Sequence, residues 1–191
     1  MVSGAPAFEA ETAERLITGE ELSKMPEAEP CELIEGRIVR MSPTSHIHGR
    51  IETRFASRLS SFVEAARLGQ VLSGEVGIYI RRQPDTIRAA DAAYISSARY
   101  AQSRSESYLD VAPELIVEVL SPDEAWQAVM RKLADYFSIG VQVVWVADPQ
   151  ARTVYAYRSA TEAKQFTESD TLTAPEILPG FTLPVAELFA V

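Results

Sequence analysis

The stretch Pro113-Glu-Leu-Ile-Val-Glu-Val-Leu120 constrains this chain more than any other. Leu115, Ile116, Val117, Val119 and Leu120 form a nearly continuous apolar run, the pattern of a strand buried on both faces rather than one. Such a strand needs a layer above and a layer below. A second apolar run covers Val141 to Asp148. Between the two, Trp126, Val129, Met130, Leu133, Tyr136 and Phe137 recur at helical spacing, which predicts a helix from about Asp123 to Ile139, closed by Gly140. Strand, helix and strand over 113–148 make a βαβ unit, with parallel strands and a right-handed crossover.

The rest of the chain supplies further layers. Thr18 to Glu21 has capping-box spacing and predicts a short helix over 19–24, and Pro26 and Pro30 break the chain after it. Glu32 to Met41 reads as two short strands around a turn at Glu35-Gly36. Ile47, Ile51, Phe55, Leu59, Phe62 and Val63 predict a long amphipathic helix from about His46 to Arg67, with Gly69 as its cap. Extended segments follow over 70–82, where Val76, Ile78 and Ile80 alternate, and over 87–96, with a turn at Pro84-Asp85 between them. Residues 97–110 read as a polar surface excursion. Thr153 to Arg158 pairs back on the preceding strand, and Leu178 to Leu183 packs on the body. The class is therefore α/β. The 191 residues suit one domain that buries its own core, over 18–191, preceded by a poorly ordered polar segment over 1–17.

Composition removes several function classes. A single cysteine, Cys31, forms no internal disulfide. Met1 to Glu14 lacks the basic and apolar regions of a signal peptide, and no apolar run is long enough to span a bilayer. These features point to the cytoplasm and away from membranes. A net charge of −9 argues against a broad basic nucleic-acid footprint. Phosphate contacts would have to come from local groups such as Arg50, Arg54, Arg58, Arg81, Arg82 and Arg88.

Candidate chemistry rests on three acids and a lysine. Glu118 interrupts an apolar strand, where an unpaired charge is costly without a partner, a raised pKa or a metal. Asp91 opens the extended segment Ala92 to Ile95, and Glu32 begins the first strand pair. Lys132 lies on the flank of the helical stripe, one turn from Val129 and Tyr136, and reaches back toward the sheet, whereas Arg131 points to solvent. Two carboxylates on adjacent strands with a nearby lysine suit Mg²⁺ or Mn²⁺ held against a phosphate. Each residue also has a plainer reading. Asp91 reads as a turn cap, Lys132 as a snorkelling flank residue, Glu118 as one half of a buried salt bridge, and His48 as a satisfied surface histidine.

Several segments together resemble the Uma2 family. They are Glu32-Leu-Ile-Glu-Gly36, Met41-Ser-Pro43 with His48-Gly49, Arg88-Ala-Ala-Asp91, the 113–122 block ending Leu-Ser-Pro122, and Lys132-Leu-Ala-Asp-Tyr136 with Gly140-Val141, Val144-Trp145 and Asp148-Pro149. The resemblance spans about residues 18 to 189. It implies a restriction-endonuclease-like PD-(D/E)XK core, a central mixed β-sheet flanked by helices. It implies metal-binding acids at Asp91 and Glu118, a catalytic lysine at Lys132 in place of the strand position held by Leu120, and a further acid at Glu32 near the site. His48 matches a family histidine. The activity implied is Mg²⁺-dependent (or Mn²⁺-dependent) hydrolysis of DNA phosphodiester bonds. Two positions depart from the pattern: Ala90 replaces the proline before the motif aspartate, and Ala128 replaces an acid four residues before the lysine. That altered helix and the acidic charge keep open a catalytically silent module that binds nucleic acid or a protein partner. An enzyme acting on another phosphoester is a third reading. A homodimer through the Val76, Ile78 and Ile80 edge is compatible with the sequence, as is core packing of the same residues.

Overall fold

The computed structural model describes residues 15–25, 30–122 and 124–190. Most of the segment expected to be poorly ordered, residues 1–14, lies outside them, as do Pro26 and the expected helix start at Asp123. Helix α1 (Gly19–Leu22) carries the capping box between Thr18 and Glu21. Strands β1 (Cys31–Ile34) and β2 (Arg37–Arg40) form an antiparallel hairpin. Its turn residues Glu35 and Gly36 have φ of 52° and 76°, the positive pair that a two-residue hairpin needs to match strand twist.

Helix α2 (His46–Ala66) starts at Ser45, whose side chain accepts from the His48 N–H. It buries His48, Ile51, Phe55, Leu59 and Val63. Ile47, expected on the inner stripe, is 41% exposed, and His48 takes its place. Both residues fit the helical period, and the polar partner waiting beneath His48 decides between them. The helix ends on Arg67 in the left-handed region, φ 54°. Gly69 is not its cap. It opens β3 (Gly69–Arg81), where a Cβ would stand 2.1 Å from the Ile95 carbonyl oxygen.

Strand β3 pairs with β4 (Thr86–Ser96) along nearly its whole length. Residues 97–110 include α3 (Ser97–Tyr100) and then return to the sheet. There Leu109 is buried and exchanges backbone hydrogen bonds with Gly77 and Tyr79. The βαβ unit follows as β5 (Leu115–Val119), α4 (Trp126–Ser138) and β6 (Val143–Asp148), with β5 and β6 parallel. Helix α4 begins at Trp126 rather than Asp123, on an Ala125 cap with no side-chain hydrogen bond. Trp126 is half exposed and edge-on to Tyr155. Strand β7 (Thr153–Ser159) pairs back on β6 as expected. Strands β8 (Glu162–Phe166) and β9 (Thr171–Ala174) were not signalled: β8 is exposed apart from Phe166, and β9 alternates over only four residues. Strand β10 (Leu178–Pro184) pairs with β9, and α5 (Val185–Phe189) closes the chain.

The large sheet runs β2-β1-β4-β5-β6-β7-β8, with β3 on β4. Its strands mix parallel and antiparallel pairs, and helices cover both faces. On one face Leu115, Val117, Val119 and Trp145 pack against Ile51, Phe55 and Leu59 of α2 and against the β9–β10 hairpin. On the other, Ile116, Val144 and Val146 pack against Val129, Leu133 and Tyr136 of α4. Alternate β5 residues thus feed opposite cores, which accounts for the unbroken apolar run, each large side chain contributing about 1.5–3 kcal/mol of burial. Ile78 is fully buried in the α4-side core, with Val76 and Ile80 packed against it. No helix among the described residues is long and apolar enough to cross a membrane.

Candidate active site

The site begins with a topological constraint on β4. A strand has two edges, and three strands pair with this one. Strand β3 takes one edge throughout. Strands β1 and β5 must share the other, β1 at Ile87 and β5 from Ala92 to Tyr94. Residues 88–91 therefore face a gap in the backbone ladder, and buried N–H groups there need other acceptors. Carboxylates fill the gap. Glu32 of β1 accepts from the Ala89 N–H at 3.2 Å. Asp91 accepts from the Val119 N–H of β5 at 2.6 Å. Continued by one residue, the register Ala92↔Val117 sets Asp91 opposite Glu118.

Two charged clusters meet at this gap. The first lies toward α4. Lys132 Nζ sits 2.9 Å from Glu118 Oε2 and 3.7 Å from Glu32 Oε1. The Tyr136 hydroxyl donates to Glu118 Oε1 at 2.6 Å. Arg88 bridges Glu32 at 2.6 Å and Asp135 at 2.7 Å. Lys132 and Tyr136 lie one helical turn apart, so a single face of α4 presents both to Glu118. Burial pushes the Glu118 carboxyl up to about 7, with the charge of Asp91 adding to it and Lys132 and Tyr136 pulling the other way. Burial would lower Lys132, yet Glu118 and Glu32 hold it well above its usual range.

The second cluster lies toward α2. His48 Nε2 is 3.3 Å from Asp91 Oδ2, and His48 Nδ1 is 4.0 Å from Glu52 Oε2. One ligand atom from each of His48, Glu52 and Asp91 lies within 4.8 Å of the others. The Gly74 N–H donates to Glu52 Oε1 at 3.2 Å. Burial opposes a charged His48, but Asp91 first, then Glu52 and Glu75, raise its pKa overall. Burial raises Glu52 as well, helped by Asp91 and Glu75. His48 Nδ1 is buried without a hydrogen-bond partner. Two carboxylates and an orphaned imidazole nitrogen around one point form a donor set that fits a divalent cation.

All four residues singled out in the sequence meet here. Glu32, Glu118 and Lys132 share the first cluster, and Asp91 joins the second. Glu118 is not among the three converging donors, since its oxygens are bonded to Lys132 and Tyr136. His48 is no surface histidine, because it is 4% exposed and bonded through Asp91. Glu52 was missed, although its place four residues after His48 puts both on one helical face. Tyr136 was read as core alone, and Arg88 as one of several candidate phosphate contacts, whereas it pairs with Glu32 and Asp135.

The Uma2 family, described as putative restriction endonuclease, matches residues 19–186. A crystal structure of a putative nuclease from Anabaena variabilis, belonging to DUF820, shares 26% identity. The match covers 91% of this chain and 98% of that one, with a TM-score of 0.75. No curated protein matches the sequence. With its family match spanning most of its length and a nuclease fold closely superposed on its own, this chain belongs to the Uma2 family.

Proposed function

We propose that this protein is a metal-dependent endonuclease-like phosphodiesterase of the PD-(D/E)XK type that hydrolyses DNA. Asp91, with His48 and Glu52, would hold the metal, and Glu118, Lys132 and Glu32 complete the catalytic group. The observation that carries this reading is the convergence of His48, Glu52 and Asp91 beside the Lys132–Glu118 pair. Bound Mg²⁺ or Mn²⁺ would supply a water of lowered pKa and neutralise charge on the phosphate. Asp91 stands between the clusters, accepting from the Val119 N–H next to Glu118 and bonded to His48. Lys132 holds a fixed positive charge at the gap, where an ammonium stabilises charge developing on phosphate oxygens. Glu32 contacts both Lys132 and Arg88 and so sets where those cations stand.

Plasmid and single-stranded DNA incubated with the protein and Mn²⁺ should be cut by wild type. Asp91→Asn and Glu118→Gln should each lose at least about 100-fold in rate, the scale of losing a group needed in the transition state. The Lys132–Glu118 ion pair, already satisfied internally, favours a second reading: a catalytically silent nuclease-fold module that binds nucleic acid or a protein partner. Folded wild type that cuts neither DNA in Mn²⁺ or Mg²⁺ would give that reading its place.

A further inference from the structure

The bulge in β3 has no role in the packing described above. Ser73 pairs with Ala92 and Val76 with Ala90, so Gly74 and Glu75 together oppose the single residue Asp91. Both take positive φ, 87° at Gly74 and 54° at Glu75. Glycine adopts this freely, but a glutamate there is strained. A Cβ at Gly74 would meet nothing within 4 Å, so crowding does not demand a glycine there. Both of its residues lie at the second cluster: the Gly74 N–H donates to Glu52, and Glu75 follows it opposite Asp91. Glu75 makes no ion pair with a lysine or arginine among the described residues.

We infer that the bulge opposite Asp91 exists to deliver the Glu75 carboxylate to the cation site, as an outer acceptor for water bound to the cation held by His48, Glu52 and Asp91. Glu75 stands outside the three residues whose ligand atoms lie within 4.8 Å of one another. Small divalent cations keep several waters, which need acceptors in a ring around the protein donors. Such a carboxylate strengthens cation binding without ligating directly. The inference rests on the cation reading of this site.

The strain gives the test two readouts that move in opposite directions. Glu75→Gly relieves the positive φ and removes the acceptor, while Glu75→Gln keeps the strain and removes only the charge. Each protein is melted in EDTA and titrated with Mn²⁺ by calorimetry, alongside wild type and Asp91→Ala. Glu75→Gly should melt about 2–4 °C above wild type without metal, yet bind Mn²⁺ about tenfold more weakly, as is typical for loss of an outer-shell partner. Glu75→Gln should also bind more weakly, without the full gain in melting temperature. If Asp91→Ala loses Mn²⁺ but Glu75→Gly binds it as tightly as wild type, the inference fails and the cation site stands. If wild type itself binds no Mn²⁺, both fail.

Discussion

The two charged clusters flank the same gap in β4's ladder, yet they are built on opposite plans. In the cluster toward α4, each buried acid meets a cation of the chain: Glu118 meets Lys132, and Glu32 meets Arg88 and Lys132. In the cluster toward α2, the side-chain base that meets Asp91 and Glu52 is His48, and Glu75 adds a third negative charge. Among the described residues no lysine or arginine pairs with those three acids. Burying like charges together is unfavourable unless something of opposite sign joins them. The difference teaches that one half of the site is balanced in charge within the polypeptide, while in the other the acids are offset by His48 alone. The proposed phosphodiesterase would use both: a fixed internal cation, and a place for a soluble one.

That comparison breaks most sharply at Lys132. Lys132→Met leaves Glu118 buried and uncompensated and should cost about 3–5 kcal/mol in urea unfolding. Restoring balance with Glu118→Gln in the same chain should recover most of it, and a loss below 1 kcal/mol would dissolve the contrast between the clusters.

Cation binding should act on the other half. Mn²⁺ at about 100 times its dissociation constant should stabilise wild type by about 2.7 kcal/mol through binding to the folded state alone. The same urea titration in EDTA and in Mn²⁺ checks it.

The dependence on pH has a definite sign. Glu118 ordinarily titrates at 4.5 and is raised to about 7 in the fold. The folded state therefore keeps a proton that the unfolded chain has released. Without metal, stability should be greatest below the ordinary value and fall as pH rises from 4.5 to about 7. Glu118→Gln should flatten that slope.

The smallest effect should come from Glu52→Gln. In EDTA it removes one of three crowded acids and should stabilise by about 0.5–1 kcal/mol. Destabilisation of similar size would mean that the α2 cluster is balanced after all.

Much of this architecture was legible in the sequence because it is written in period and continuity. The nearly continuous apolar run at Leu115 to Leu120 announced a strand covered on both faces, and the helical stripe after it fixed the βαβ unit. Glu118 stood out because an acid has no cheap place in such a strand. Lys132 could be placed on the correct flank because helix geometry is local. The second cluster was hidden for the opposite reason. Glu52 and Glu75 look like any solvated acids until the β3–β4 register is known. The bulge exists only as a mismatch between two strands and leaves no mark in either alone. His48 was hidden by Ile47, because two adjacent residues fit the same stripe and the hydrophobic one looked the better inner residue. The gap in β4's ladder depends on three strands competing for two edges, which no local pattern reports.

The central claim is that the gap beside Asp91 is a cation site. Its most direct test is a calorimetric titration of wild type and Asp91→Ala with Mn²⁺, with circular dichroism confirming that both are folded. Saturable binding by wild type that disappears in Asp91→Ala is the predicted result. Folded wild type that binds no Mn²⁺, or a variant that binds it as well as wild type, would contradict the account.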